Sequence, residues 1–148
     1  MEEMRIHKAL DIAHKLLQLA TNSDDELLTN LKLQKMLYYQ QGFHLARFET
    51  PLFEEEMEAW MYGPVVPSVY NQFCTPDLRG GIPYEGEVVR LSHEEELLFD
   101  EVYRMCNVYS AVGLMRMTHA ERPWQETPIG KGNIIPKPLM QSFFKTRL

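Results

Sequence analysis

The sequence predicts a mainly α fold, a compact helical domain around a buried central helix with a small two-stranded β element. Three observations predict it. Residues 31–48 contain no proline and are apolar almost all round. Residues 4–20 and 92–108 each carry a single apolar stripe at helical spacing. Between them, Met57, Glu58, Ala59, Trp60, Met61 and Tyr62 pack bulky side chains at a density that suits a short strand better than a helix.

The central helix sets the organisation. On a wheel, Met36, Tyr39, Phe43 and Ala46 cover one flank, Leu33, Leu37 and Phe48 a second, and Leu31, Tyr38 and Leu45 a third. A helix of about five turns that is apolar on every side is surrounded by other elements. Its polar groups, Lys32, Gln34, Lys35, Gln41 and His44, must then be partnered, at the surface, or in a groove, because an unpaired buried polar group is costly. Gly42 costs roughly 1 kcal/mol against alanine in a helix interior. A close backbone contact with a neighbour is the expected reason for it.

Taken in order, residues 4–20 form the first helix, with Ile6, Ala9, Leu10, Ala13, Leu16, Leu17 and Ala20 inward. His7 and His14 lie two turns apart on it and read as solvated histidines. A polar break at residues 21–25 ends it. Thr29 or Asn30 is placed to cap the central helix, and Pro51 closes it. The strand at residues 57–62 offers two faces, Met57/Ala59/Met61 and Glu58/Trp60/Tyr62. Gly63 and Pro64 read as a turn, and Pro67 as the first residue of a short helix ending before Thr75 and Pro76. Residues 76–87 form a loop, and 88–91 a second short strand expected to pair with 57–62. Ser92 and Glu95 make a capping box for a helix with Leu98, Val102, Met105 and Tyr109 inward. The run Glu94, Glu95, Glu96 reads as capping and solubility rather than a metal site. Ser110 caps another helix carrying Val112, Leu114, Met115 and Thr118. Residues 119–138 read as a second loop, after which Pro138 starts a last helix with Leu139, Phe143 and Phe144 packing back.

The whole chain, residues 1–148, reads as one domain, long enough to bury a real core. With 45% hydrophobic and 24% charged residues it is an ordinary globular composition. A net charge of −6 argues against nucleic acid as the direct partner, which would require phosphates to be neutralised. The charged start lacks the apolar region of a secretory signal, and no apolar run approaches the length of a membrane span. Cys74 and Cys106 stand alone and far apart, as reduced thiols do. The expected compartment is the cytoplasm, with no membrane partner.

Catalytic templates fail. There is no HExxH, GxSxG, GxGxxG or paired CxxC, and residues 130–133 lack phosphate-loop spacing. Cys106 sits among apolar neighbours, and Cys74 at a helix end is the less improbable nucleophile. The most interesting polar cluster is His119 with Glu121 beside Trp124. It reads either as a base oriented by a carboxylate or as a helix-capping histidine. No cofactor and no metal are expected. Trp60 and Tyr62 read as core or as a recognition surface, the second because such side chains are typical binding anchors.

Residues 30–39, Gly42 to Ala46, Pro51 to Phe53 and 58–70, with the Thr118-His119 and Pro123-Trp124 pairs, closely resemble the Panacea domain, the antitoxin domain of SocA-like proteins also found in phage-associated GepA-type proteins. Residues 74–91 carry no matching motif. The resemblance implies a mostly helical domain with a small β element, and a cognate protein toxin, encoded beside it, as the partner to be neutralised. A protease or chaperone is a further partner suggested by one member of that family, and no residue here reports it. The residues singled out for partner binding are Gln34, Lys35, Tyr38, Trp60, Tyr62, Pro64, Val65, His119 and Trp124, with core-building as the competing role for Tyr38, Trp60, Pro64 and Trp124. Net negative charge would steer the chain towards a basic toxin. The rival classes are a small hydrolase or nucleotide-modifying enzyme using His119 and Glu121, and a phage-derived regulator binding a host protein. The oligomeric state is left open.

Overall fold

The computed structural model describes residues 4–148. Met1, Glu2 and Glu3, where the chain's charged start begins, lie outside the described residues. Among the described residues, seven α-helices and one two-stranded sheet follow in the order α1 (Ala9–Thr21), α2 (Asn30–Phe48), β1 (Glu58–Trp60), β2 (Gly63–Val65), α3 (Pro67–Phe73), a 3-10 turn (Pro76–Leu78), α4 (His93–Asn107), α5 (Ala111–His119), α6 (Arg122–Gln125) and α7 (Lys137–Lys145).

The fold is mainly α, and α2 is its axis: α1, α3, α4, α5, α7 and β2 all pack on it. Every position from Leu33 to Gly42 is buried. Thr29 caps it, accepting from the Lys32 amide, and Glu49 ends it in a left-handed conformation at φ 60°. Gly42 is explained by an aromatic ring rather than by a neighbouring backbone. A Cβ there would lie 2.1 Å from Phe144 Cε2 of α7. Phe144 meets Tyr38, Tyr39 and Phe43 edge-on around that gap.

The capping box is formed, with the Ser92 side chain accepting from the Glu95 amide and Glu95 reaching back to Ser92. Ser110 caps α5 through the Gly113 amide, and Pro67 opens α3. These signals depend on residues a few positions apart, which is why they survive into the structure.

Several expectations are corrected. Residues 4–8 are extended, not helical. His7 pairs with the segment after α2, its amide donating to Leu52 O and its carbonyl accepting from Glu54 N. Ile6 is therefore 55% exposed and leaves the apolar stripe. Glu55 supplies the missing helix signal from a distance, accepting from the Ala9 amide at 2.8 Å. His14 is not solvated. It stacks on Tyr84 with centroids 4.1 Å apart. Tyr109 and Val112 face out, while Phe99, Tyr103 and Cys106 are buried instead.

The strand pairing also differs. β1 pairs with β2 in the register Glu58↔Val65, Ala59↔Pro64, Trp60↔Gly63, so Gly63 and Pro64 belong to a strand and the turn is Met61-Tyr62. Neither turn residue takes a positive φ. The twist is absorbed by Gly63 at φ 108°. Residues 88–91 form no strand. The other edge of β1 is taken by the 130–135 segment, with Ala59 N donating to Asn133 O and Ile135 N to Met57 O. The late loop region further contains the short helix α6.

Candidate functional site

The sequence-selected residues gather at the N-terminal half of α2 and the hairpin above it. Successive residues of α2 reach the hairpin differently. Gln34 is spent at both ends: Oε1 accepts from Val66 N at 2.9 Å and Nε2 donates to Asn30 Oδ1 at 3.0 Å. Asn30 in turn donates to Tyr70 O, so one polar chain ties α2 to α3 and to its N-cap residue Val66.

Lys35 is wholly buried and donates to Pro64 O at 2.9 Å. No carboxylate pairs with it among the described residues. Burial pushes its ammonium down to about 7. Gly63 makes room for it, since a Cβ there would lie 2.7 Å from Lys35 Cε and 2.9 Å from Thr118 Oγ1.

Behind the hairpin, Trp124 donates from Nε1 to Trp60 O at 2.8 Å and stacks on His119 with centroids 4.0 Å apart. His119 Nε2 is buried without a hydrogen-bond partner among the described residues. Burial lowers the titration of this ring. The Met61 backbone opposes that shift and Lys35 adds to it.

Glu121 does not orient His119. Its two carboxylate oxygens accept from Tyr38 OH at 3.0 Å and Tyr39 OH at 2.9 Å, joining α2 to the start of α6. Burial raises its carboxyl above the usual range, against the pull of the two hydroxyls. The base-and-carboxylate arrangement is thus not formed. Cys106 is buried and its thiol is pushed up to about 12, while Cys74 is exposed, its Sγ 3.5 Å from Asn71 O. Among the described residues no group of three or more His, Cys, Asp or Glu is placed to hold a metal ion.

What the arrangement builds is a cleft of about 640 Å3 between the start of α2, the hairpin, α3 and the 3-10 turn. Gln34, Trp60, Tyr62 and Val65 wall it, Lys35 lies beneath, and Leu31, Met61, Tyr70, Phe73, Leu78 and Arg79 complete it. Trp60 meets Tyr70 edge-on at 5.2 Å and is held from the other side by Glu58 Oε1, which accepts its indole N–H at 2.9 Å. Met61 and Tyr62 at the hairpin tip are 65% and 62% exposed. Of the remaining selected residues, Tyr38 and Pro64 are buried, and His119 and Trp124 lie behind the hairpin rather than in the cleft. Sequence reasoning missed Met61, Tyr70 and Arg79. A turn placed at residues 61–62, which the glycine directly after it could have signalled, would have exposed Met61.

No helix among the described residues is long and apolar enough to cross a membrane. The family model described as "Antitoxin SocA-like, Panacea domain" matches residues 33–125. The chain is also similar to Antitoxin SocA of Caulobacter vibrioides (strain NA1000 / CB15N), with 46% identity over 46 residues, 31% of this chain and 24% of that protein. The matched part is thus about a quarter of that relative's length. No solved structure matches.

Proposed function

The chain belongs to the SocA-like, Panacea-domain antitoxin family, and on that premise we propose that it neutralises a toxin encoded beside it by binding the toxin protein directly, in the cytoplasm. One observation carries the reading: two large apolar side chains, Met61 and Tyr62, stand exposed at a hairpin tip beside an apolar-walled cleft. Apolar and aromatic side chains presented next to a pocket are what protein interfaces use as anchors. Gln34 and Lys35 act from below. Lys35 donates to the hairpin backbone at Pro64 and Gln34 accepts from Val66 directly after it, so their polar atoms set the position of the surface. His119 and Trp124 brace the hairpin from behind through the Trp60 carbonyl. Residues 1–148 are read as one domain of this family. The flanking helices α1 and α7 pack on α2, which the family match largely contains.

The test is expression of each neighbouring open reading frame alone and together with this chain in a bacterial host. The expected result is growth arrest by one frame, restored growth on co-expression, and a co-eluting complex on size exclusion. Absence of arrest by every neighbouring frame, or restored growth without a complex, would overturn the reading.

A further inference from the structure

We propose that the cleft receives a peptide segment of the partner carrying a large apolar side chain next to a carboxylate, the apolar group entering against Trp60, Tyr70 and Leu78 and the carboxylate pairing with Arg79. This deepens the antitoxin reading and rests on it for the partner's identity.

Its size falls in the range of sites that enclose a small ligand or one or two large side chains. The polar side chains that α2 and its cap bring to the wall are already occupied. Gln34 is bonded at both ends of its amide, Asn30 is bonded to Tyr70 O, and Thr29 Oγ1 accepts from the Lys32 amide. An apolar guest set against this part of the wall strands none of these groups.

The charge is the second argument. In a chain of net charge −6, none of the residues walling this cleft is Asp or Glu. Arg79 is exposed, and its guanidinium has no partner among the described residues. Lys131 sits 5.5 Å from the centre of the Trp60 ring, a second cation against one of the residues that wall the cleft. Two acids lie outside the wall: Glu58, which accepts from the Trp60 indole and the Gly132 amide, and Asp77 in the 3-10 turn. On the other side of the start of α2 a second cleft is lined by Asp25 and Glu26, and its one lysine, Lys32, is bonded to Asn107. A carboxylate-bearing segment is therefore favoured in the first cleft and repelled from the second.

The experiment selects random linear peptides displayed on phage against the full chain, then measures enriched peptides by fluorescence polarisation. The expected enrichment is an aromatic or Leu residue with Asp or Glu a few positions away. Arg79→Glu is expected to weaken these peptides about tenfold, and exchanging their acid for Lys to restore binding to that variant. Tyr62→Asp is expected to weaken them through the apolar wall. Failure to enrich any peptide, enrichment of basic peptides, equal binding to Arg79→Glu, or preference for a single-stranded oligonucleotide over all peptides would each overturn the assignment. The growth assay separates the two ideas. Restored growth with a cleft that fails these tests removes the assignment alone, and acidic peptides bound by a chain that restores no growth remove the antitoxin reading alone.

Discussion

The two halves of α2 both bury polar side chains, and they differ in one of them, Lys35. In the C-terminal half every such group is matched. Gln41 donates to Phe53 O and accepts from Leu52 N, and Gln40 donates to Phe99 O. His44 places its ring nitrogens 2.6 Å from Thr50 O and 2.6 Å from Glu95 Oε2. Burial raises the Glu95 carboxyl, but the bonds from His44 and Ser92 outweigh it and hold it below the usual range. In the N-terminal half Lys35 has one neutral acceptor and, among the described residues, no counter-charge, so its ammonium is held at a net cost beneath the hairpin. The contrast teaches where the molecule is clamped and where it carries an unrelieved charge. The clamp joins α2 to α4 and to the segment after α2. The unrelieved charge lies under the proposed binding surface.

Glu95→Ala gives the largest expected effect. It strands His44 in the interior and removes the capping box of α4, for a loss of about 4 kcal/mol in urea unfolding. A loss under about 1 kcal/mol would erase the contrast, since a matched buried pair must be costly to break. Gly42→Ala comes next. Alanine gains roughly 1 kcal/mol in helix propensity, but its Cβ meets the buried Phe144 ring, and a net loss of about 2 kcal/mol is expected in thermal denaturation.

Lys35→Met sharpens the other side of the comparison with the opposite sign, a gain of about 1–2 kcal/mol near neutral pH. The folded-state value of about 7 lies below the ordinary 10.5, so folding releases a proton between those limits. The penalty is absent above about 10.5, grows as pH falls, and is complete below about 7. The advantage of Lys35→Met must therefore shrink as urea unfolding is moved from neutral to alkaline pH. An advantage independent of pH would mean that Lys35 carries no charge penalty. The smallest effect on stability is expected for Tyr62→Ser at the exposed tip, within about 0.5 kcal/mol. The same change is expected to weaken the toxin complex by about 2 kcal/mol in titration calorimetry, and unchanged affinity would move the interface elsewhere.

Much of the helical frame was legible in the sequence. The bounds of α2, the Thr29 cap, the Ser92–Glu95 box, the Ser110 cap and Pro67 at the start of α3 all depend on residues within one turn of each other, and local chemistry decides them. Of the residues singled out in the sequence, Gln34, Lys35, Trp60, Tyr62 and Val65 line the proposed cleft, and Trp60 and Tyr62 stood out as bulky side chains in a short stretch. The rest was not legible, for a common reason. His44 and Glu95 are 51 residues apart, and Glu121 and Tyr39 are 82 apart, with no spacing to connect them. Glu95 read as a cap because that half of its role is local.

By itself, then, the sequence determined a mainly α chain with its central helix and its caps, because periodicity and capping are properties of neighbours along the chain, and its motifs carried the resemblance to its family. Tertiary structure decided which strand completes β1, that residues 4–8 pair as extended backbone instead of starting α1, that Glu121 serves two tyrosines instead of His119, and that an apolar cleft with an unpaired Arg79 opens beside the hairpin. Each of those depends on groups distant in sequence competing for the same partner, and only the packed chain settles that competition.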